Sequence, residues 1–166
     1  DDTIAPIADV PSLGNAIGQT TATVTAPTAT DNCVGIIIGT TSSPLTYSTQ
    51  GTFTIVWTYN DGNGNISTQN QTVIVADTIA PTAPASLIAS GTSSTTTNLS
   101  WTASIDNAAV IEYDVYRGAT LIGTATGTTY TATGLTASTA YTFSIKAKDA
   151  VGNISATSNT VNITTL

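Results

Sequence analysis

The sequence predicts an all-β chain built as two tandem antiparallel β-sandwiches, and three observations carry that expectation. Charged residues make up only 8% of the 166 positions and hydrophobic residues 40%, with Thr, Ser, Gly and Asn filling most of the rest. Thr, Val and Ile suit the pleated surface of a sheet, and the Glu, Lys and Leu richness of helical proteins is missing. Apolar residues recur with a period of two between clusters of turn residues. The string DTIAP at Asp2–Pro6 returns unchanged at Asp77–Pro81, 75 residues later, about the length of one small sandwich.

Taken along the chain, TATVTAP (21–27), GTFTIVWTYN (51–60) and QTVIVAD (71–77) read as strands, separated by breaks such as TSSP and DGNGN. In FTIVWTY a period of two puts Phe53, Ile55, Trp57 and Tyr59 on one face, which belongs in a core. The second half repeats the style with TNLSW (97–101), IEYDVYR (111–117), TLIGTA (120–125), TTYTAT (128–133), YTFSIKAKD (141–149) and NTVNITTL (159–166). There Tyr141, Phe143, Ile145 and Ala147 face inward and Asp149 follows, just as Asp61 follows Tyr59.

Composition excludes several classes of function. Ten acids face only Arg117, Lys146 and Lys148, a net charge of −7 that is wrong for nucleic acid. No apolar run reaches the ~18 residues of a membrane span, and no charged-then-apolar leader opens the chain. The chain is therefore expected to be a monomeric piece of a larger exported protein. Cys33, the single cysteine, is expected to be a buried free thiol. The absence of His removes catalytic triads and His-containing zinc sites. By strand parity Lys146 and Lys148 point outward, and Glu112 reads as an exposed strand residue, so no catalysis is expected. Tyr47, Tyr116 and Tyr130 are the aromatics that the inward faces leave over, a weak platform for a sugar.

From Pro81 onward the sequence resembles a fibronectin type III domain of the kind found in bacterial secreted enzymes and adhesins. LSWTASIDNAAVIEYDVYRG carries the Trp101 and Tyr113 of that pattern, and LTASTAY resembles its tyrosine corner, ending in Tyr141. The first half resembles a hyalin repeat (HYR) domain, a related immunoglobulin-like sandwich, through ATDNC (29–33) and GTFTIVWTYNDGNGN; where that family pairs its Cys with a second one, this chain has Gln69. The resemblances imply an HYR-like sandwich over residues 1–77 and a fibronectin type III sandwich over residues 78–166.

They also give the acids a place. Asp2, Asp31 and Asp61 in the first half match Asp77, Asp106 and Asp149 in the second, each in similar company: DTIAP twice, TDN with IDN, and DGNGNIS with DAVGNIS. In such a sandwich the domain entrance, the BC loop and the FG loop share one end, so three carboxylates converge there. In the second half that end is expected to face the first, because VIVADTIAPTAP closes one module and opens the next. The Ile of DTIAP is expected to begin the apolar packing at this mouth. Two readings of the acids stand. Asp and Asn are ordinary turn residues that bond their own backbone. Alternatively, with no Lys or Arg in the first half to offset them, they hold Ca²⁺. The ligands would then be Asp77, Asp106, Asn107, Asp149 and Asn153 at the junction, and Asp2, Asp31, Asn32, Asp61 and Asn65 at the outer end. The function expected is a secreted or cell-surface spacer between neighbouring domains, rigidified by calcium. The alternative is an adhesin-type module gripping a glycan or a surface protein.

Overall fold

The computed structural model describes residues 2–166 and carries, among them, fifteen strands and no helix. No helix is thus long and apolar enough to cross a membrane. The chain divides into two compact units, Asp1–Asp77 and Thr78–Leu166, each with its own core.

The first unit contains β1 (Ile7–Ala8), β2 (Ala16–Gly18), β3 (Ala22–Thr23), β4 (Thr28–Asp31), β5 (Gly35–Ile38), β6 (Thr46–Tyr47), β7 (Gly51–Asn60) and β8 (Ile66–Val75). Its main hairpin, β7 with β8, pairs Trp57 opposite Gln69 and Ile55 opposite Gln71, and β2 joins β8 in parallel. A second sheet runs β1-β4-β5, and β3 pairs with β6. The period of two in β7 delivers what it predicts: Ile55, Trp57 and Tyr59 are buried and Phe53 is half-buried beneath Tyr47. The polar ends of the two large rings are satisfied from β8. Gln71 accepts from the Trp57 indole at 3.0 Å and Gln69 from the Tyr59 hydroxyl at 2.8 Å. Both glutamine amides then donate outward, to the carbonyls of Gly14 and Val10, fastening the N-terminal segment over the core. Of the strand-like string 21–27 only Ala22–Thr23 is a strand, with Val24 adding one amide-to-carbonyl bond to Leu45. Pro27, which has no amide to donate, stands in its other half.

The second unit contains β9 (Ala85–Ser90), β10 (Thr97–Thr102), β11 (Val110–Arg117), β12 (Thr120–Ala125), β13 (Thr129–Ala132), β14 (Ala140–Asp149) and β15 (Val161–Thr164). One sheet runs β13-β10-β9 and the other β12-β11-β14-β15, all antiparallel. Their inner faces bury Leu87, Leu99, Trp101, Tyr113, Val115, Phe143, Ile145 and Ala147, with Trp101 edge-on to Tyr113 at 5.4 Å. Tyr141 stays half-buried because it ends the strand's inward row, and its hydroxyl accepts from the Thr136 amide at 2.9 Å. That bond closes the corner the LTASTAY string predicts.

Three expectations are corrected. Cys33 is exposed, because it lies in the three-residue turn between β4 and β5 rather than on a strand face. Ile4 and Ile79 are about half exposed, at 52% and 48%, so neither Ile of DTIAP begins a core. Glu112 is half-buried and ion-paired to Lys148 at 3.1 Å, its neighbour across β11 and β14.

Candidate functional site

The third acidic element has the same construction in both units. In the loop after β7, Asp61 Oδ1 accepts from the amides of Asn63 and Asn65, at 2.8 and 3.1 Å, and Oδ2 from the Asn65 side chain at 2.6 Å. In the loop after β14, Asp149 Oδ1 accepts from the amides of Val151, Gly152 and Asn153, and Oδ2 from the Asn153 side chain at 2.7 Å. The asparagine amide also reaches the entrance segment: Asn65 Nδ2 donates to the Asp2 carbonyl at 3.3 Å and Asn153 Nδ2 to the Ile79 carbonyl at 3.3 Å. Gly64 and Gly152 precede these asparagines at φ of 105° and 99°, a region open to glycine, which is why the string reads GN. Burial works to raise the pKa of both acids, but the bonds from the asparagine and the loop amides outweigh it and hold both below the ordinary value. The D-x-x-G-N motif is therefore a staple of loop to entrance, made twice.

In the second unit the entrance segment is also fastened to the loop between β10 and β11. Thr82 and Ile105 exchange two bonds, amide to carbonyl at 2.9 Å and amide to hydroxyl at 2.8 Å. In the first unit the Ser67 hydroxyl donates to the Pro6 carbonyl at 2.6 Å. At this end of the second unit, carboxylate oxygens of Asp106 and Asp149 lie within 4.8 Å of each other. Asp106 Oδ2 accepts from the Ala108 amide at 3.0 Å, while its buried Oδ1 has no hydrogen-bond partner among the described residues. Asn107 is exposed.

In the first unit the group that closes to 4.8 Å is Asp2, Asp31 and Cys33, and Asp61 is not one of its members. Asp31 Oδ1 accepts from the amides of Cys33 and Val34, and the Asn32 side chain donates to Cys33 Sγ at 3.4 Å. Desolvation raises the Cys33 thiol pKa, and the Asp2 and Asp31 carboxylates raise it further. The sequence reading missed Cys33 as a member of this group, although its position two residues after Asp31 in DNC already put it in the same turn. It also missed Asp9, whose two oxygens accept from the hydroxyls of Thr28 and Thr30 and tie β1 to β4.

Residues 82–164, half of the chain, match the family model described as Fibronectin type III domain. The chain belongs to the fibronectin type III family. The corner bond from Thr136 to Tyr141 and the Trp101–Tyr113 pair are the structural marks of that fibronectin type III domain. The whole chain is similar to Chitinase A1 of Niallia circulans, 43% identical over 99% of this chain and 26% of that protein. The fibronectin type III half is 56% identical to a stretch of Exoglucanase B of Cellulomonas fimi, covering 54% of this chain and 8% of that protein. It is also similar to part of an Alpha-amylase of Niallia circulans, 46% identical over 91 residues. Among solved structures, Chitinase ChiA74 from Bacillus thuringiensis is 37% identical over 54% of this chain and 14% of its own, with a TM-score of 0.50. The chain thus spans about a quarter or less of the length of each of these four relatives.

Proposed function

We propose that this chain is a non-catalytic spacer in a larger exported bacterial protein, holding neighbouring domains apart, and that its first unit is an immunoglobulin-like sandwich of the hyalin-repeat kind. One observation carries the reading. The same fibronectin type III unit recurs as a small part of proteins named chitinase, exoglucanase and alpha-amylase. A unit shared among three named activities is the part that specifies none of them. The complete lack of His and the pairing of Glu112 with Lys148 support the same reading. The test is to assay the isolated chain on chitin, cellulose and starch: release of reducing ends from any of them overturns it.

Calcium at Asp106 and Asp149 of the second unit is the second part of the proposal. The buried Asp106 Oδ1 is the oxygen such an ion would satisfy, and Asp149, already stapled, would present its charge without a change of rotamer. An ion held there ties the loop that carries Asp106 to the loop that carries Asp149, so that end of the second unit stiffens. With a Kd of ~10⁻⁴ M, millimolar calcium would add roughly 1–2 kcal/mol. Calorimetric titration that yields no heat, or an Asp106→Ala chain that binds calcium as the parent does, removes this part and leaves the spacer reading standing.

An adhesin-type role for glycan or protein has one observation in its favour, an open groove of about 750 Å³ lined by uncharged groups including Ser90, Asn98, Ser100, Thr129 and Tyr130. Against it, Tyr47, Tyr116 and Tyr130 are half-buried and engaged by Phe53, Lys146 and the Ile122 carbonyl. Saturable binding on a glycan array, lost in Asn98→Ala, would favour the groove.

A further inference from the structure

We propose that Asp2, Asp31 and Cys33 form a site for a thiophilic divalent cation of the zinc class, different in ligand chemistry from the all-oxygen group of the second unit. A carboxylate oxygen of each Asp and the Cys33 sulfur lie within 4.8 Å of one another. Tetrahedral zinc spaces its oxygen and sulfur ligands about 3.5 Å apart, so the three side chains close on an ion by moving about an ångström. They come from the entrance segment and from the β4–β5 turn, and both ends are already held. The Ile4 amide and the Asn63 side chain donate to the two oxygens of Asp2, and the turn amides donate to Asp31.

Asp31 supplies the observation that points to a ligand. It is only 4% exposed, its Oδ1 is taken by two amides, and its buried Oδ2 has no hydrogen-bond partner among the described residues. A buried carboxylate oxygen left without a donor is costly, and the cost falls when a cation sits against it. No Lys or Arg exists in the first 77 residues to play that part. The thiol then decides which cation. Calcium and magnesium take oxygen ligands, whereas a thiolate beside two carboxylates suits zinc, cobalt or cadmium. Cys33 is exposed in its turn, so the ion reaches the site from solvent, and three protein ligands leave the fourth position to water.

The proposal is independent of the spacer reading and of calcium at Asp106. Its test uses the full chain, reduced and freed of metal, titrated with Zn²⁺ by calorimetry and with Co²⁺ by absorption. One ion per chain is expected, with a thiolate-to-cobalt charge-transfer band in the near ultraviolet. Cys33→Ser should abolish the band and weaken Zn²⁺ by about tenfold or more. Asp31→Asn, which keeps the Oδ1 acceptor and so the turn, should weaken Zn²⁺ similarly, while Asp106→Asn leaves both readouts unchanged. Absence of the band, zinc affinity indifferent to Cys33→Ser, one ion shared by two chains, or displacement of Zn²⁺ by an equal concentration of Ca²⁺ would each overturn it.

Discussion

Asp149 shows how much one turn residue can organise. Its carboxylate satisfies three backbone amides and an asparagine side chain while only 1% of the residue is exposed. Asp149→Ala removes every one of those acceptors at once and should destabilise the second unit by about 2–3 kcal/mol, measured by urea unfolding. The pH dependence follows from the lowered pKa values of Asp61 and Asp149. Their contribution is present above the ordinary value of 3.8 and is lost as pH falls through the lower folded values. Urea midpoints should therefore drop on acidification below that value, and Asp149→Asn should flatten the drop in the second unit. The sequence showed where these aspartates stand and in what company. It could not show that Asp61 and Asn65 satisfy each other, because a D-G or G-N string predicts a turn and leaves its side-chain partners open.

Strands are where periodicity worked and where it met its limit. The inward rows of β7 and β14 were legible because alternation is a property of a single extended segment. The segment 154–159 was not, since it pairs with β14 through side chains as well as backbone. The Ser155 hydroxyl accepts from the Ala147 amide at 2.8 Å and the Ser158 hydroxyl from the Ile145 amide at 3.0 Å. Ser158→Ala should leave the Ile145 amide buried without its side-chain acceptor, a loss of about 1–3 kcal/mol readable as a lower melting temperature. A similar dependence on packing holds at Gly18 of β2, where a Cβ would stand 1.8 Å from the Thr21 carbonyl oxygen. Gly18→Ala must displace backbone, and should cost the first unit about 2–3 kcal/mol in the same assay.

Two separate cores imply two separable unfolding events. Trp57→Ala empties a buried site in the first core and should lower the first unit's stability by about 3–5 kcal/mol. The second unit's transition, followed by the near-ultraviolet signal of Trp101, should stay where it was. Recovery of that same transition in a chain cut to residues 78–166 would confirm that the fibronectin type III unit folds on its own core. A single transition that moves as a whole with Trp57→Ala would contradict it.

Read alone, the sequence was enough for the all-β class, the inward faces, the tyrosine corner and the repeated company of the acidic elements. Those features follow from short-range rules, alternation along a strand and turn chemistry within a few residues, combined with a recurring string. Which atoms those acids meet was left to the folded chain. Asp61 closes on Asn65 and stays out of the group with Asp2 and Asp31, whereas Cys33 leaves the core assigned to it and joins that group. A hydrogen bond or a ligand set is chosen among neighbours that lie far apart along the chain, and folding is what brings them within a few ångströms.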